Sequence, residues 1–332
     1  MSQNILVTGG AGYIGSHTCK ELARRGFTPI VFDNLSRGTR SAVKWGPLIV
    51  GDLLKRHQLH QAFDEFDIHG VVHFAALAYV GESVAEPARY FRNNVAGTLN
   101  LLDVMSEAGV LNLVFSSTCA VYGIPPSVPI SEDTVTKPVN PYGESKLQTE
   151  KMLPWFEKTY GLKWAALRYF NAAGADPEGE IGENHDPETH LIPLAIQAAL
   201  GTGPALRILG TDYPTPDGTA IRDYIHVSDL AAAHRLALER LRAGGVSLVA
   251  NCGYSHGYSV LEVIDSVRRA FGRDFEVKMG DRRPGDAAAV VANSDLARAE
   301  LGWTPQRDDL DQIVADALTW ERILTSKNSA RG

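Results

Sequence analysis

The chain has 332 residues, 44% of them hydrophobic and 21% charged, enough for one large core plus a smaller lobe and too apolar for a disordered chain. Its formal net charge of −7, without a basic stripe or a basic–aromatic interleave, gives nucleic acid no footing as a partner. No apolar run approaches the ~18 residues that cross a bilayer, and the amino terminus carries a glycine-rich loop where a signal peptide needs an apolar stretch, so the expectation is a cytoplasmic protein with no membrane partner.

Asn4–Thr8 reads as a short buried strand, followed by Gly9-Gly-Ala-Gly12-Tyr13-Ile14-Gly15 and a helical pattern from Ser16 to about Arg25. In a strand–turn–helix of this kind one glycine permits the tight turn, the next lets the backbone approach a pyrophosphate, and Gly15 lets the helix pack closely. The helix N-terminus then offers unpaired N–H donors to a nucleotide phosphate. A second strand, Thr28–Phe32, ends in Asp33, whose carboxylate can accept from adenosine ribose hydroxyls and would repel a 2'-phosphate. NAD is therefore favoured over NADP, with Arg37 nearby as a reservation, and Asn34 joins Asp33 as a cofactor candidate. Leu48–Gly51, Gly70–Ala75, Leu111–Ser116 and Lys163–Tyr169 are further strands alternating with helical runs. That alternation predicts a doubly wound parallel sheet of Rossmann type in an α/β protein.

Asn140 can cap a helix and Pro141 suits its first turn, which places Tyr142 and Lys146 one turn apart on one face. A tyrosine ionises near pH ~10, and a neighbouring ammonium favours the phenolate. Lowering that pKa by three units needs about 4 kcal/mol, which makes the pair candidate acid–base apparatus. An ordinary solvated helix is the bland alternative. Pro154 is expected to kink or end this helix. After about Asn171 strict alternation lapses, with Gly-, Pro- and Asp-rich stretches at Ala175–His185 and Thr211–Gly218, and helical patterns resume at Ser228–Leu241, Ser259–Phe271 and Leu310–Leu324. The expected organisation is a dinucleotide-binding domain over 1–171, a smaller α/β substrate lobe over 172–325 with segments returning to the first domain, and a flexible tail over 326–332. Cys19, Cys119 and Cys252 are widely spaced and odd in number, and the histidines at His-x-x-x-His spacing, His69 and His73, fall in a strand-like run where that spacing makes no helical ligand pair, so neither a disulfide framework nor a metal is expected. Arg222 and Arg283 are candidates for binding phosphates in a fork, and Asp286 for accepting from ribose hydroxyls.

Thr8–Gly15, His73-Phe-Ala-Ala76, Val80-Gly-Glu-Ser83, Ser116-Ser-Thr118 with Val121-Tyr-Gly123, Tyr142 to Lys146, Arg168-Tyr-Phe-Asn171, Asp212-Tyr-Pro-Thr215 with Arg222-Asp-Tyr-Ile-His226, and Arg283-Pro-Gly-Asp286 occur in an order that resembles the extended short-chain dehydrogenase/reductase family, and within it the UDP-sugar 4-epimerases, over nearly the whole chain. The resemblance implies bound NAD, with Asp52 and Leu53 flanking the adenine, Phe74, Ala75, Ala76, Ala78, Asn93 and Ser116 along the pyrophosphate and nicotinamide side, and Phe170 near the nicotinamide. It implies C4' inversion through a transient 4-ketone, as between UDP-glucose and UDP-galactose, with Tyr142 taking the 4'-hydroxyl proton, Thr118 hydrogen-bonding that hydroxyl, and Lys146 holding the nicotinamide ribose and lowering the tyrosine pKa. Asn171, His190, Leu191, Arg207, Ile208 and Leu209 would complete the wall around the UDP-sugar, and a homodimer is the family analogy. Ala78, His190 and Arg207 depart from the family pattern. So does Val290, which stands where a bulkier residue limits the sugar pocket and implies room for N-acetylated hexoses. A UDP-xylose/UDP-arabinose 4-epimerase fits several of the same motifs. A sugar-nucleotide dehydratase would place an acid where Cys119 and Ala120 follow Thr118, and a noncatalytic NAD-binding protein would have no need of Thr118, Tyr142 and Lys146 together.

Overall fold

The computed structural model describes residues 3–283 and 285–329. Seven strands form the central sheet: β1 (Gln3–Thr8), β2 (Phe27–Asp33), β3 (Leu48–Val50), β4 (Ile68–His73), β5 (Asn112–Thr118), β6 (Lys163–Tyr169) and β7 (Leu248–Cys252). Their order is β7-β6-β5-β4-β1-β2-β3, and every pairing is parallel. The strands read as near-continuous apolar runs because both faces are covered. Alternate side chains separate into two cores. Ile5, Val7, Val31, Val72, Val114 and Leu167 pack with α1 (Tyr13–Arg24) and with a helix at Val227–Arg242. Leu6, Ile30, Phe32, Val71, Leu113 and Phe115 point the other way, towards Leu59, Leu101, Leu102, Met105 and Leu153. Between β1 and β4 the chain order reverses, and at such a switch point the carboxyl ends of the strands leave a crevice for ligands.

The region beyond residue 171 divides its loyalties. Val227–Arg242 and β7 belong to the main sheet and its covering layer. The remainder builds small sheets: Leu206–Leu209 beside Val277–Gly280, and Tyr258–Ser259, Ile221–Arg222 and Ala289–Val290 together. Two expectations are corrected. The helix Pro141–Tyr160 runs unbroken past Pro154 to a left-handed Gly161 at φ 78°, because Pro154 lies on its exposed side, where water can serve the Glu150 carbonyl that lost its partner. The tail expected over 326–332 is helical through Ser329 as the end of Leu310–Ser329, and 330–332 lie outside the described residues.

One buried charge network joins these layers. Glu150, on the helix of Tyr142, receives Arg168 Nε at 3.0 Å and Nη2 at 2.6 Å, and also the Ser117 hydroxyl. Arg168 Nη1 donates to Tyr122 Oη at 3.0 Å, and Tyr122 donates to Asn251 Oδ1 at 2.7 Å. The two charged side chains are 8% and 6% exposed, so removing one strands the other without solvent. Glu150→Ala is expected to lower unfolding free energy by about 3–5 kcal/mol, read from urea denaturation, and Glu150→Met combined with Arg168→Met to recover most of that loss.

Candidate active site

The loop from Gly9 to Gly15 is closed by backbone bonds from Gly9 N to Phe32 O and from Gly12 N to Gly9 O. Gly9 sits at φ 72°, and a Cβ there would lie 2.6 Å from Ala75 N; one on Gly15 would lie 2.2 Å from Gly9 O. Only glycine permits this closeness, which leaves the α1 N-terminus bare for an anion. Tyr13 and Ile14 begin that helix, and Tyr13 Oη donates to Gly174 O at 2.6 Å. At the end of β2, Asp33 accepts from Ala11 N (3.0 Å) and Leu35 N (2.8 Å), while burial lifts its carboxyl above the usual range. Asn34 donates to Asp52 at 3.3 Å, beside buried Leu53. Arg37 is taken up by Glu82 at 2.9 Å and the Asp186 carbonyl at 2.8 Å, so it is not free for a 2'-phosphate. A glycine cradle, helix N–H donors and a carboxylate at the tip of the next strand fit NAD.

Across the switch point, Phe74, Ala75 and Ala76 follow β4, and Ala78 is exposed. Facing them, a π-helical turn at Phe91–Ala96 presents adjacent asparagines. Asn93, the expected cofactor contact, donates to Asn94 at 2.9 Å. Asn94 holds Leu77 N and O at 2.9 and 3.0 Å and Ser145 Oγ at 3.0 Å, tying the loop after β4 to the Tyr142 helix. Nothing in the sequence separates these neighbouring amides, and Asn94 and Glu150 both went unforeseen.

Thr118 ends β5 and accepts from Ala120 N at 3.1 Å. The helix of Tyr142 and Lys146 begins with Asn140 accepting from Gly143 N at 2.9 Å, and Gly143 lies so close that a Cβ would come 2.6 Å from Ala120 O. The three candidate catalytic groups thereby meet at one strand end. Lys146 Nζ donates to Ser116 O at 2.9 Å and lies 4.9 Å over the Phe115 ring. Burial, opposed in part by Glu150, brings its ammonium down to about 7. The expectation that Lys146 lowers the Tyr142 pKa is corrected for the protein alone: burial holds the phenol well above its usual value, Tyr169 adds to this, and the counterweight is the Thr118 hydroxyl hydrogen bond.

Phe170 is buried and packs with Val121 and Ala292, against which Val290 and Cys119 also lie. Val290 pairs with Arg222 across adjacent strands, which sets it beside that candidate phosphate-binding residue. Arg222 and Asp286, expected to serve phosphate and ribose separately, are paired with each other, and Arg222 Nη1 also donates to Ile221 O at 2.8 Å. Arg283 is exposed on the same turn, its carbonyl accepting from Asp286 N. Ile208 is corrected as a wall residue. In Leu206–Leu209 alternate positions face inward, so Ile208 is 1% exposed in the core while Arg207 and Leu209 face outward. Leu191 packs partly into the core and Asn171 opens a short strand whose N–H goes to Asp223 O. His190 is corrected as well, being held by Glu183 (2.7 Å) and Glu188 (2.9 Å) instead of standing free as a wall.

A family model described as NAD dependent epimerase/dehydratase family matches residues 5–253. The UDP-glucose 4-epimerase of Lacticaseibacillus casei is 50% identical over 317 residues, covering 95% of this chain and 96% of its own. Among solved structures, the UDP-glucose 4-epimerase from Brucella ovis in complex with NAD superposes with a TM-score of 0.94 at 50% identity, over 96% of this chain and 99% of that one. The UDP-glucose 4-epimerase from Bifidobacterium longum in complex with NAD+ and UDP gives 0.92 at 39% identity, over 97% and 98%.

Lys146 makes stability depend on pH. With a folded value of about 7 and an unfolded value near ~10.4, the unfolded chain binds more protons between the two, so this group's cost to folding is full below pH 7 and fades as pH rises toward 10. Lys146→Met in cofactor-free protein is expected to be more stable than the parent at pH 6, with the gap closing above pH 7 in urea titrations.

Proposed function

The chain belongs to the NAD dependent epimerase/dehydratase family, and we propose that it interconverts UDP-glucose and UDP-galactose at C4', admitting N-acetylated hexoses as well. The observation that carries this reading is the meeting of Thr118, Tyr142 and Lys146 at the carboxyl end of β5, separated from the glycine cradle after β1 by β4 alone. The pentose alternative is not favoured, since the matching curated relatives bear the name UDP-glucose 4-epimerase. Gly9 to Gly15 would hold NAD at its pyrophosphate and Asp33 at its adenosine ribose, with Lys146 at the nicotinamide ribose. When bound, it accepts and returns the C4' hydride, and its cationic ring supplies the charge that burial otherwise denies a phenolate. Tyr142 Oη takes the 4'-hydroxyl proton and gives it back, while Thr118 Oγ1 orients that hydroxyl and stabilises the phenolate. Turning the 4-keto sugar over within the pocket exposes its other face, and proton return from Tyr142 completes the inversion. Arg222 and Arg283 bind the diphosphate, which requires Asp286 to leave Arg222 and take up the ribose hydroxyls. Desolvation inside the crevice keeps water from the ketone. The reading includes a cytoplasmic homodimer, and no described helix is long and apolar enough to cross a membrane.

Purified protein supplied separately with UDP-galactose, UDP-N-acetylgalactosamine and UDP-arabinose, with epimers resolved by chromatography, tests the reaction. Tyr142→Phe is expected to lose about 10²–10⁴ in kcat while still binding NAD; no epimer from any of the three substrates would sink the reading. Val290→Tyr is expected to cut turnover of the N-acetylated substrate by about 10–200-fold relative to UDP-galactose, and unchanged selectivity would remove the pocket argument.

A further inference from the structure

The segment 183–190 gathers four side chains that the proposed reaction does not use. Glu183, His185, Glu188 and His190 each offer one ligand atom, all within 4.8 Å of one another. His185 Nδ1 and His190 Nδ1 lie 2.9 and 2.7 Å from Glu183 Oε1, and His190 Nδ1 lies 2.9 Å from Glu188 Oε1. Both carboxylates are nearly out of solvent, at 6% and 8% side-chain exposure. Among the described residues, neither forms an ion pair with a lysine or arginine.

The other acidic trio of the chain shows the contrasting solution. Asp176, Glu178 and Glu180 surround Lys20 Nζ at 2.7, 2.9 and 2.6 Å, so a lysine already fills that position. At Glu183 and Glu188 imidazoles stand in its place, and a neutral imidazole is a metal ligand where an ammonium is not. The cluster also borders a cavity of about 470 Å³ shared with Gln197 and Glu321. Burial holds the Glu321 carboxyl above its usual range, and Glu188 and Glu183 push it further up. Among the described residues, three carboxyls therefore share one cavity whose positive charge comes from histidine alone.

We infer that Glu183, His185, Glu188 and His190 form a binding site for one divalent transition-metal ion, held by two imidazole nitrogens and two carboxylate oxygens. A tetrahedral zinc ion places its ligand atoms about 3.3 Å apart, and the nitrogen–oxygen spacings of 2.7 to 3.8 Å in the cluster bracket that value. The mixed nitrogen and oxygen set suits zinc or manganese and disfavours magnesium and calcium, which take oxygen ligands. Without metal, the imidazoles and the carboxylates hold one another directly, His185 and His190 against Glu183 and His190 against Glu188. The ion would brace a strap over the cofactor cradle, because the His185 ring packs edge-on against Tyr13 of the glycine loop at 6.2 Å and against Tyr79 at 5.9 Å.

The test reads metal binding and is independent of turnover. Protein stripped with chelator is titrated calorimetrically with Zn²⁺, and Co²⁺ is added to a second sample for its visible d–d absorption. One equivalent of Zn²⁺ is expected, with affinity at least ten-fold weaker in His185→Ala and in His190→Ala and the Co²⁺ band lost in both. Glu188→Gln, nearly isosteric, is expected to weaken binding while its circular dichroism stays that of the parent, which separates ligand loss from unfolding. Cys119→Ser is expected to bind as the parent does. No binding by the parent protein, or equal binding by both histidine variants, overturns the inference and leaves a histidine–carboxylate clamp.

Discussion

The Glu150 carboxylate sits where the helix of Tyr142 and Lys146 crosses the sheet, and it is bound from both neighbouring strands, by Ser117 of β5 and Arg168 of β6. Because it lies one turn beyond Lys146, its position sets how far the helix slides along β5, and so how Tyr142 meets Thr118. A buried pair of this kind adds little net stability over an apolar replacement. What it supplies is placement, since a guanidinium fork accepts a carboxylate in few orientations. Through Tyr122 and Asn251 the same network reaches β7, so the site is braced from three strands at once.

Burial dominates the electrostatics of this site. It pushes the Tyr142 phenol up and brings the Lys146 ammonium down to about 7, so both groups favour their neutral forms when only protein surrounds them. A sequence reading that adds a cation to a phenol at helical spacing omits the solvent both have lost. The machinery is thus built to be incomplete on its own, and positive charge arriving with a ligand has a large effect in such surroundings because little water screens it.

Features governed by local rules were legible in the sequence. The glycine loop, Asp33 at a strand tip and the Asn140 cap each depend on a few consecutive residues, and the parallel sheet followed from repeated strand–helix alternation. What escaped depends on partners far away in the chain. Pro154 was read as a breaker because its exposed setting is a tertiary property. Ile208 turns into the core while Arg207 and Leu209 on either side face outward, and a four-residue strand is too short for periodicity to fix that phase. Arg222 with Asp286 and His190 with Glu183 satisfy each other across loops, and no spacing rule foretells that.

β7 enters the sheet from Leu248–Cys252, long after its neighbour β6 at Lys163–Tyr169. Until it arrives, β6 presents an unpaired parallel edge, and the apolar face beneath lacks the covering helix Val227–Arg242. A nascent chain leaving the ribosome therefore carries an open, sticky border through the synthesis of the intervening residues. A fragment cut at the apparent boundary near Asn171 would keep that border permanently, so the nucleotide-binding half is a unit of recognition without being a unit of folding.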